Sequence, residues 1–370
     1  MSLLDERSWT GPHRCGLDRR FERAAVEGAR QREWADLPPQ ERAAVLRRAG
    51  DLWSSTARGS ASGWCARQDR SWPKPDWSVR RRRRSVTKRP RYRQHPAGHV
   101  LPSAEPRWSL ARRRPVGVDT VIAPFNFPLI LSIRSVAPAL ALGNAVLLKP
   151  DPRTAVCWGV ALLRVFQEGG LPAGLLQLLP GGVEVAQAAV TAAPVRVVSF
   201  TGSTAAGRAV GALGGEQLKR THLELGGNNA LIVLPGADLD LASSAGAFGS
   251  FMHQGQICMT TGRHLVHASV DDEYVAALAT RADHLPVGNP ATSEVALGPI
   301  IDAKQVQHID MLVQRTVDSR CPAGRRRNPR GSLLPADGPG RGRPGHAGLH
   351  RPGLRAGGPC GALQQRRGGH

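Results

Sequence analysis

Short apolar runs alternate with longer amphipathic stretches between residues 116 and 253 of the chain. The runs predict buried strands over residues 120–123, 145–148, 175–179, 195–200 and 230–234. The stretches between them predict helices over residues 129–142, 155–167, 184–192 and 239–253. Regular alternation of this kind favours an α/β fold, in which a parallel sheet carries helices on both faces.

The flanking regions divide the chain into five segments. Residues 1–53 predict a helical part, with a break at Pro38-Pro39 and an end at Gly50. Residues 54–97 show no sustained period, and residues 98–225 carry most of the strand and helix alternation. Residues 226–319 add amphipathic helices over 272–285 and 303–316, and residues 320–370 form a basic tail.

The net charge of +21 is concentrated in two places. One cluster lies between Arg80 and Arg93, and the other begins at Arg320. From Cys321 to His370 the chain has no Val, Ile, Met, Phe, Tyr or Trp, and Asp337 is the only acid. Such a segment buries too little apolar surface to offset the entropy of ordering it, so we expect the tail to be disordered.

Two interpretations of the basic segments stay open. An Arg/Gly-rich tail can bind a polyanion, but RNA-binding segments interleave aromatic side chains, and none follows Tyr274. Bulk charge alone predicts non-specific contact, so we do not expect a nucleic-acid partner. The favoured interpretation is that residues 54–96 and 320–370 are out-of-frame translations of a GC-rich gene, which resequencing tests.

The cysteines and the hydropathy of the chain indicate in which cellular environment we expect the protein. The six cysteines show no metal-ligand spacing, so we predict no metal site, and scattered thiols fit a reducing cytoplasm. The first residues lack the apolar core of a secretory signal. No charge-free apolar stretch of about 18 residues occurs, so we expect no membrane span.

Candidate chemistry lies in a thiol and a carboxylate, each beside glycines. Cys258 follows Gly255-Gln256-Ile257, and Glu224 precedes Gly226-Gly227. A thiolate nucleophile with a general base carries out covalent acyl chemistry. Alternatively, Cys258 is a small buried hydrophobe and Glu224 a surface acid. The apolar neighbours of Glu224 favour a partly buried carboxylate with a raised pKa.

Five motifs occur in the order found in the aldehyde dehydrogenase superfamily, which the chain therefore resembles. Their sequences are similar to those of its benzaldehyde and vanillin dehydrogenase branch. The motifs are residues 124–128 (PFNFP), 147–150 (LLKP), 200–207 (FTGSTAAG), 222–229 (HLELGGNN) and 251–258 (FMHQGQIC). The resemblance is good over residues 98–319 and fair over 21–53. It implies a cofactor domain with a parallel sheet and a catalytic domain.

The resemblance also implies the roles of individual residues. Cys258 is the nucleophile, Glu224 the base that activates water, and Asn126 a donor to the oxyanion. Lys149 reaches the adenosine ribose of NAD or NADP, and the loop with Gly202, Ser203 and Gly207 lies at the pyrophosphate. Outside the resemblance, Asn126 could simply form a turn, Lys149 could be a solvated strand-end lysine, and the glycine loop a plain turn. The acid that many NAD-preferring relatives carry is replaced by Pro152, so NADP stays open.

Part of the family pattern is absent. No Glu follows Glu294, so the family's second glutamate, in a Glu-x-Phe-Gly-Pro motif, has no counterpart. Members form homo-oligomers, and we expect the pairing segment to be lost with the closing part of the catalytic domain. The function expected first is oxidation of a small aldehyde, aromatic in class. The alternatives are an inactive or poorly folded remnant and a basic polyanion-binding protein.

Overall fold

A computed structural model describes residues 29–59, 98–289 and 293–318 of the protein. These residues fall into two units. The first comprises Met1–Trp64 and Asp76–Leu225, and the second comprises Cys65–Pro75 and Gly226–His370. The basic clusters at 80–93 and 320–370, with the interpretations attached to them, lie outside the described residues.

The first unit contains a five-stranded parallel sheet. Its strands are β3 (Val118–Ile122), β4 (Ala145–Lys149), β5 (Leu176–Leu178), β6 (Val195–Thr201) and β7 (Arg220–Glu224), in the order β5-β4-β3-β6-β7. The predicted α/β fold with a parallel sheet is therefore confirmed. The chain builds the sheet outward from β3 in one direction and then returns to add β6 and β7 on the other side. The direction of strand addition thus reverses between β3 and β6.

Helices cover both faces of this sheet. They are α1 (Ala29–Asp36), α2 (Pro39–Gly59), α3 (Pro128–Ala141), α4 (Ala161–Glu168), α5 (Val183–Thr191) and α6 (Thr204–Glu216). The Thr120 hydroxyl donates to a carbonyl of α5, whereas the hydroxyl of Ser199 hydrogen-bonds to Ser135 of α3. Ser199 is paired in register with Val121, so it shares a face with Val121 and not with Thr120. Helices α5 and α3 therefore lie on opposite faces.

Helix α2 continues to Gly59, so the predicted end at Gly50 and the predicted irregular start at residue 54 are wrong. A glycine inside a helix costs about 1 kcal/mol, and packing offsets that cost here. Leu46 and Ala49 are buried, and Ala49 lies so close to Gly169 that a Cβ at Gly169 would be 3.1 Å from its methyl group. Arg48 donates to the Gly169 carbonyl from the same helix, at 2.9 Å.

The second unit pairs two short parallel strands with three helices. They are β8 (Ala230–Val233), β9 (Arg263–Val266), α7 (Leu239–Phe251), α8 (Asp271–Asp283) and α9 (Ala303–Asp318). Its core is built from Val233, Phe251, Val266, Tyr274 and Leu278. The predicted helix over 239–253 ends two residues early, because a 3-10 turn, Met252–Gly255, follows α7.

Several further elements differ from the predictions. Residues 98–112 contain an antiparallel pair, β1 (Gly98–Leu101) and β2 (Ser109–Arg112), that the sequence pattern did not indicate. The helix predicted over 155–167 begins as a π-helical segment, Ala155–Val160. Among the described helices, none has the length and apolar character needed to cross a membrane.

Candidate active site

The first unit places four of the predicted site positions at one edge of its sheet. Lys149 is the last residue of β4, Asn126 lies in the loop after β3, Ser203 follows β6, and Glu224 is the last residue of β7. These strands are consecutive neighbours, and the carboxyl ends of parallel strands share one edge. The reversal between β3 and β6 opens a crevice at this edge, which is where open α/β sheets bind ligands.

Lys149 is a buried lysine, with 7% of its surface exposed. Its backbone carbonyl accepts from the N–H of Ala123, which ties the end of β4 to the start of the Asn126 loop. Burial lowers the pKa of Lys149, and the nearby charges of Asp151 and Glu184 oppose that shift. The alternative of a solvated strand-end lysine is therefore wrong.

The glycine loop is fixed by packing as well as by backbone hydrogen bonds. The Ser203 hydroxyl accepts from the N–H of Ala206 and caps α6, and the N–H of Gly202 donates to the Glu224 carbonyl. A Cβ at Gly202 would lie 2.6 Å from the Phe200 ring, and one at Gly207 would lie 2.3 Å from the Leu225 side chain. A larger residue at either position would force the neighbouring side chain to shift.

The Asn126 side chain orders its own loop. Its amide oxygen accepts from the N–H of Phe127 at 2.9 Å, immediately before α3 begins. This hydrogen bond joins the side chain to the backbone of the next residue, so it fixes the loop locally. The amide oxygen can only accept, so a role as oxyanion donor falls to the amide nitrogen.

Glu224 is exposed, with 46% of its side chain accessible, so the expectation of a partly buried carboxylate is wrong. Its strand β7 lies at the edge of the sheet and alternates between exposed and partly exposed positions. One carboxylate oxygen lies 3.5 Å from the Arg134 guanidinium, and the other lies 3.4 Å from Nε2 of His222. Arg134 also donates to the Thr201 hydroxyl at 2.8 Å, which fixes the guanidinium beside the end of β6.

Arg134 and His222 were not predicted as members of this cluster. Arg134 is the only charged residue of α3, whose other side chains are mostly apolar and buried. The one charged side chain in this apolar helix could have indicated an ion-pair partner, because a charge on a largely buried helix needs a partner that stabilises it. His222 lies two residues before Glu224 on the same strand, so its side chain projects from the same face.

The second unit carries Cys258 on the turn that follows α7. The thiol is exposed, which excludes the alternative of a small buried hydrophobe. Beside it, Ile257 is buried and anchors the turn, and the Gln256 side chain accepts from the N–H of Ile301. A Cβ at Gly227 would lie 3.3 Å from the Cys258 carbonyl, so chain from just after β7 approaches the turn closely.

The residues of the first unit fit the phosphates of a dinucleotide. The α6 N-terminus presents backbone N–H groups behind an exposed Ser203, and Lys149 supplies a cation at the same sheet edge. Within the described residues, no cluster of three or more His, Cys, Asp or Glu side chains could hold a metal ion.

Comparison with known proteins identifies relatives of the chain. Residues 18–333 match the model of the aldehyde dehydrogenase family. A vanillin dehydrogenase of Amycolatopsis sp. is 63% identical over 297 residues, which are 80% of this chain and 61% of that protein. The NAD(+) benzaldehyde dehydrogenase of Pseudomonas putida is 47% identical over 295 residues, covering 79% of this chain and 60% of that protein.

The likeness extends to solved structures. The crystal structure of an NAD-dependent benzaldehyde dehydrogenase from Corynebacterium glutamicum superposes with a TM-score of 0.73 at 37% sequence identity. The match covers 81% of this chain and 65% of that one. The chain thus spans about three fifths of the length of the curated relatives it matches.

Proposed function

The chain belongs to the aldehyde dehydrogenase family, and from that membership we propose that it oxidises an aldehyde to the carboxylic acid with NAD or NADP. The observation that carries the proposal is the set of strand ends that brings Lys149, Asn126, Ser203 and Glu224 to one sheet edge. The names of the relatives, vanillin and benzaldehyde dehydrogenases, favour an aromatic aldehyde as substrate.

Cys258 supplies the nucleophile of the proposed reaction. Its thiolate adds to the carbonyl carbon, and the electron pair of the carbonyl bond moves to oxygen. The resulting thiohemiacetal oxyanion needs N–H donors, and the family resemblance assigns that role to the Asn126 amide nitrogen and to the backbone N–H of Cys258. Preorganised donors of this kind contribute about 3–4 kcal/mol each to transition-state stabilisation.

Lys149, Gly202, Ser203 and Gly207 hold the coenzyme in this proposal. When bound, the nicotinamide supplies the acceptor for the hydride that leaves the thiohemiacetal carbon. Lys149 would donate to the adenosine ribose, and the N–H groups at the start of α6 would bind the pyrophosphate. Pro152 brings no negative charge toward a 2′-phosphate, so both coenzymes are to be tested.

Glu224 completes the cycle as the general base. After hydride loss Cys258 carries a thioester, and a water molecule has to attack its carbonyl carbon. The Glu224 carboxylate takes a proton from that water, which releases the carboxylic acid and returns the thiolate. Arg134 and His222 position the carboxylate before that step, since each lies within 3.5 Å of one of its oxygens.

The direct test is formation of NADH or NADPH when the purified chain is mixed with benzaldehyde or vanillin. We expect absorbance at 340 nm to rise with at least one coenzyme. Absence of the signal in protein that unfolds cooperatively would favour the inactive remnant instead. Salt-dependent retention on nucleic acid would favour the polyanion-binding alternative. The homo-oligomer with a lost pairing segment and the cytoplasmic location stay predictions.

Glu224→Gln should slow thioester hydrolysis about a hundredfold and leave acylation of Cys258 nearly unchanged, because only hydrolysis needs the base. p-Nitrophenyl acetate acylates a thiolate without any coenzyme, so burst and steady-state release of nitrophenolate report the two steps separately. The variant should keep the burst and lose the steady state.

Glu216→Gln is the matched control for this variant, since Glu216 is an exposed glutamate at the end of α6 in the same unit. It should behave as the unmodified protein does. An equal loss of burst and steady-state rates in Glu224→Gln would remove the residue from the hydrolytic step.

A further inference from the structure

The turn that carries Cys258 is tied at its base to the end of α7. The N–H of Thr261 donates to the Gly249 carbonyl at 2.9 Å, and the Thr261 carbonyl accepts from the Ser250 hydroxyl at 2.8 Å. Both backbone groups of one residue are therefore held by two consecutive residues of the helix. The chain from Phe251 to Thr260 forms a loop closed by these two hydrogen bonds.

A half-buried histidine extends this contact into the core of the second unit. Nε2 of His264 lies 2.9 Å from the Ser250 hydroxyl and 3.2 Å from the Thr261 carbonyl. Nδ1 of the same ring lies 2.7 Å from the Tyr274 hydroxyl. The three side chains thus link the base of the turn to α8, which lies beside α7 in the core.

The chemistry of the partners fixes the proton positions. A carbonyl oxygen only accepts, and the single Ser250 proton already goes to Thr261, so Nε2 of His264 carries a proton and donates. Nδ1 of the neutral ring is then an acceptor, and the Tyr274 hydroxyl donates to it. The Thr261 carbonyl thus accepts hydrogen bonds from both Ser250 and His264, and Tyr274 holds the other side of the His264 ring.

Burial keeps the network in this arrangement. Tyr274 is 1% exposed, and burial raises its pKa to about 12, so it stays a donor. Burial also lowers the pKa of His264, which favours the neutral ring. A Cβ at Gly246 would lie 2.2 Å from the Tyr274 hydroxyl oxygen, so a larger residue at this position of α7 would displace the buried tyrosine.

The turn itself is held in an unfavourable conformation. His253 and Gln254 have φ angles of 55° and 56°, and Gly255 follows at 70°. Two consecutive non-glycine residues in the left-handed region cost free energy, and they persist only where surrounding contacts enforce them. The hydrogen bonds that Thr261 makes with Gly249 and Ser250 hold the C-terminal end of the turn in place.

We propose that Ser250, His264 and Tyr274 are positioning residues that hold the Cys258 turn in its conformation through the Thr261 carbonyl. None of the three has to touch substrate or coenzyme. Their part in catalysis rests on the proposed function, because it matters only if Cys258 is the nucleophile. Their part in ordering the turn is independent of it and is measured separately.

Hydrogen exchange of residues 252–262, followed by mass spectrometry, tests the ordering. Ser250→Ala and Tyr274→Phe should accelerate exchange of this segment about threefold to tenfold, because the first removes two hydrogen bonds from the network and the second removes one. Both substitutions delete a hydroxyl and retain the apolar body of the side chain. The exchange of α8 beyond its first turn should stay as in the unmodified protein.

Ser243→Ala is the matched control, since both serines lie on α7 and both are 0% exposed. Ser243 accepts from Arg281 and donates to the Asp240 carbonyl, at the opposite end of the helix. Its removal should leave exchange of residues 252–262 unchanged. Acceleration of the turn to the same extent in Ser243→Ala, or in none of the variants, would overturn the proposal.

Replacement of His264 separates the hydrogen bond from simple packing. His264→Gln retains an N–H donor near the position of Nε2, whereas His264→Leu has none. The glutamine variant should exchange within about twofold of the unmodified protein, and the leucine variant should resemble Ser250→Ala. Equal acceleration in both would mean that the donated hydrogen bond is not what holds the turn.

Acylation by p-nitrophenyl acetate then connects the turn to Cys258. His264→Leu and Ser250→Ala should lower the maximal acylation rate about threefold to tenfold and leave KM nearly unchanged, because the thiol is misplaced and no ester contact is lost. An unchanged rate together with faster exchange would overturn the positioning role. If the unmodified chain itself shows no acylation, the proposed function fails, and the exchange data still decide whether the network orders the turn.

Discussion

Replacing Cys258 by alanine should lower NAD(P)H formation from benzaldehyde by at least about a thousandfold, to the level of the uncatalysed mixture. The site residues of the first unit cannot replace it, because a thioester requires a thiol and Asn126, Lys149 and Ser203 carry none. The p-nitrophenyl acetate burst should vanish in the same variant. Both signals depend on the sulfur atom, so they should disappear together.

Peptide mapping provides the complementary measurement. Cys258 is exposed and should be the first cysteine to react with limiting iodoacetamide. The experiment needs a Cys321→Ser background, since a thiol in the basic tail would compete for the reagent. Cys157→Ala serves as the matched variant and should keep both activity and labelling. Faster labelling of Cys157 in folded protein, or retained turnover in Cys258→Ala, would assign the nucleophile elsewhere.

The strands that could be predicted from sequence are those with a continuous apolar run, and β4 is the clearest case. All five residues of β4 are buried, and an unbroken apolar run is the signature of such a strand. Strands β7 and β9 were missed because their sequences, RTHLE and RHLV, begin with polar residues and are partly exposed. An edge strand of five residues lacks the hydrophobic pattern on which a prediction depends.

Some residues of the candidate site could also be predicted from the sequence, and others could not. Lys149 and Ser203 follow apolar strands, so their place at the end of a strand could be inferred from the sequence. The pairing of Glu224 with Arg134 could not, because 90 residues separate them and only the β3-β6-β7 order brings α3 near the end of β7. The network of Ser250, His264 and Tyr274 was missed for a related reason. Each of these residues is unremarkable within its own element, and only the packing of α7 against α8 joins them.

Strand β3 shows where a local rule failed. An apolar run predicts a strand over residues 120–123, but β3 begins at Val118 and takes Asp119 into the sheet. Asp119 pairs in register with Val146 on one side and with Val197 on the other. Among the described residues, its Oδ1 atom has no hydrogen-bond partner, and burial raises the pKa of Asp119 to about 7.

Asp119→Asn should raise the free energy of unfolding by about 2 kcal/mol at pH 8 and by much less at pH 4.5. The pKa of this carboxyl is raised in the folded protein, whereas in the unfolded chain it lies near the ordinary value of 3.8. Between about pH 4 and pH 7 the folded state therefore binds more protons than the unfolded state, and stability falls as the pH rises through this window. Above pH 7 the folded protein has to hold a partly buried carboxylate in β3, of which Oδ1 has no hydrogen-bond partner among the described residues, and asparagine removes that charge at constant shape.

Urea unfolding of both proteins at a series of pH values between 4.5 and 8.5 measures the effect, because the difference between them cancels the other titrating groups. Asp36→Asn is the matched control, since Asp36 is an exposed aspartate at the end of α1 in the same unit, and its substitution should change stability by about 0.5 kcal/mol at most. A difference between Asp119→Asn and the unmodified protein that stays constant across the pH range would mean that the carboxyl of Asp119 does not titrate in this window. A growing difference would show that a charge inside β3 opposes folding at neutral pH, and would make Asp119 the first position to change when a more stable form of the chain is needed for assays.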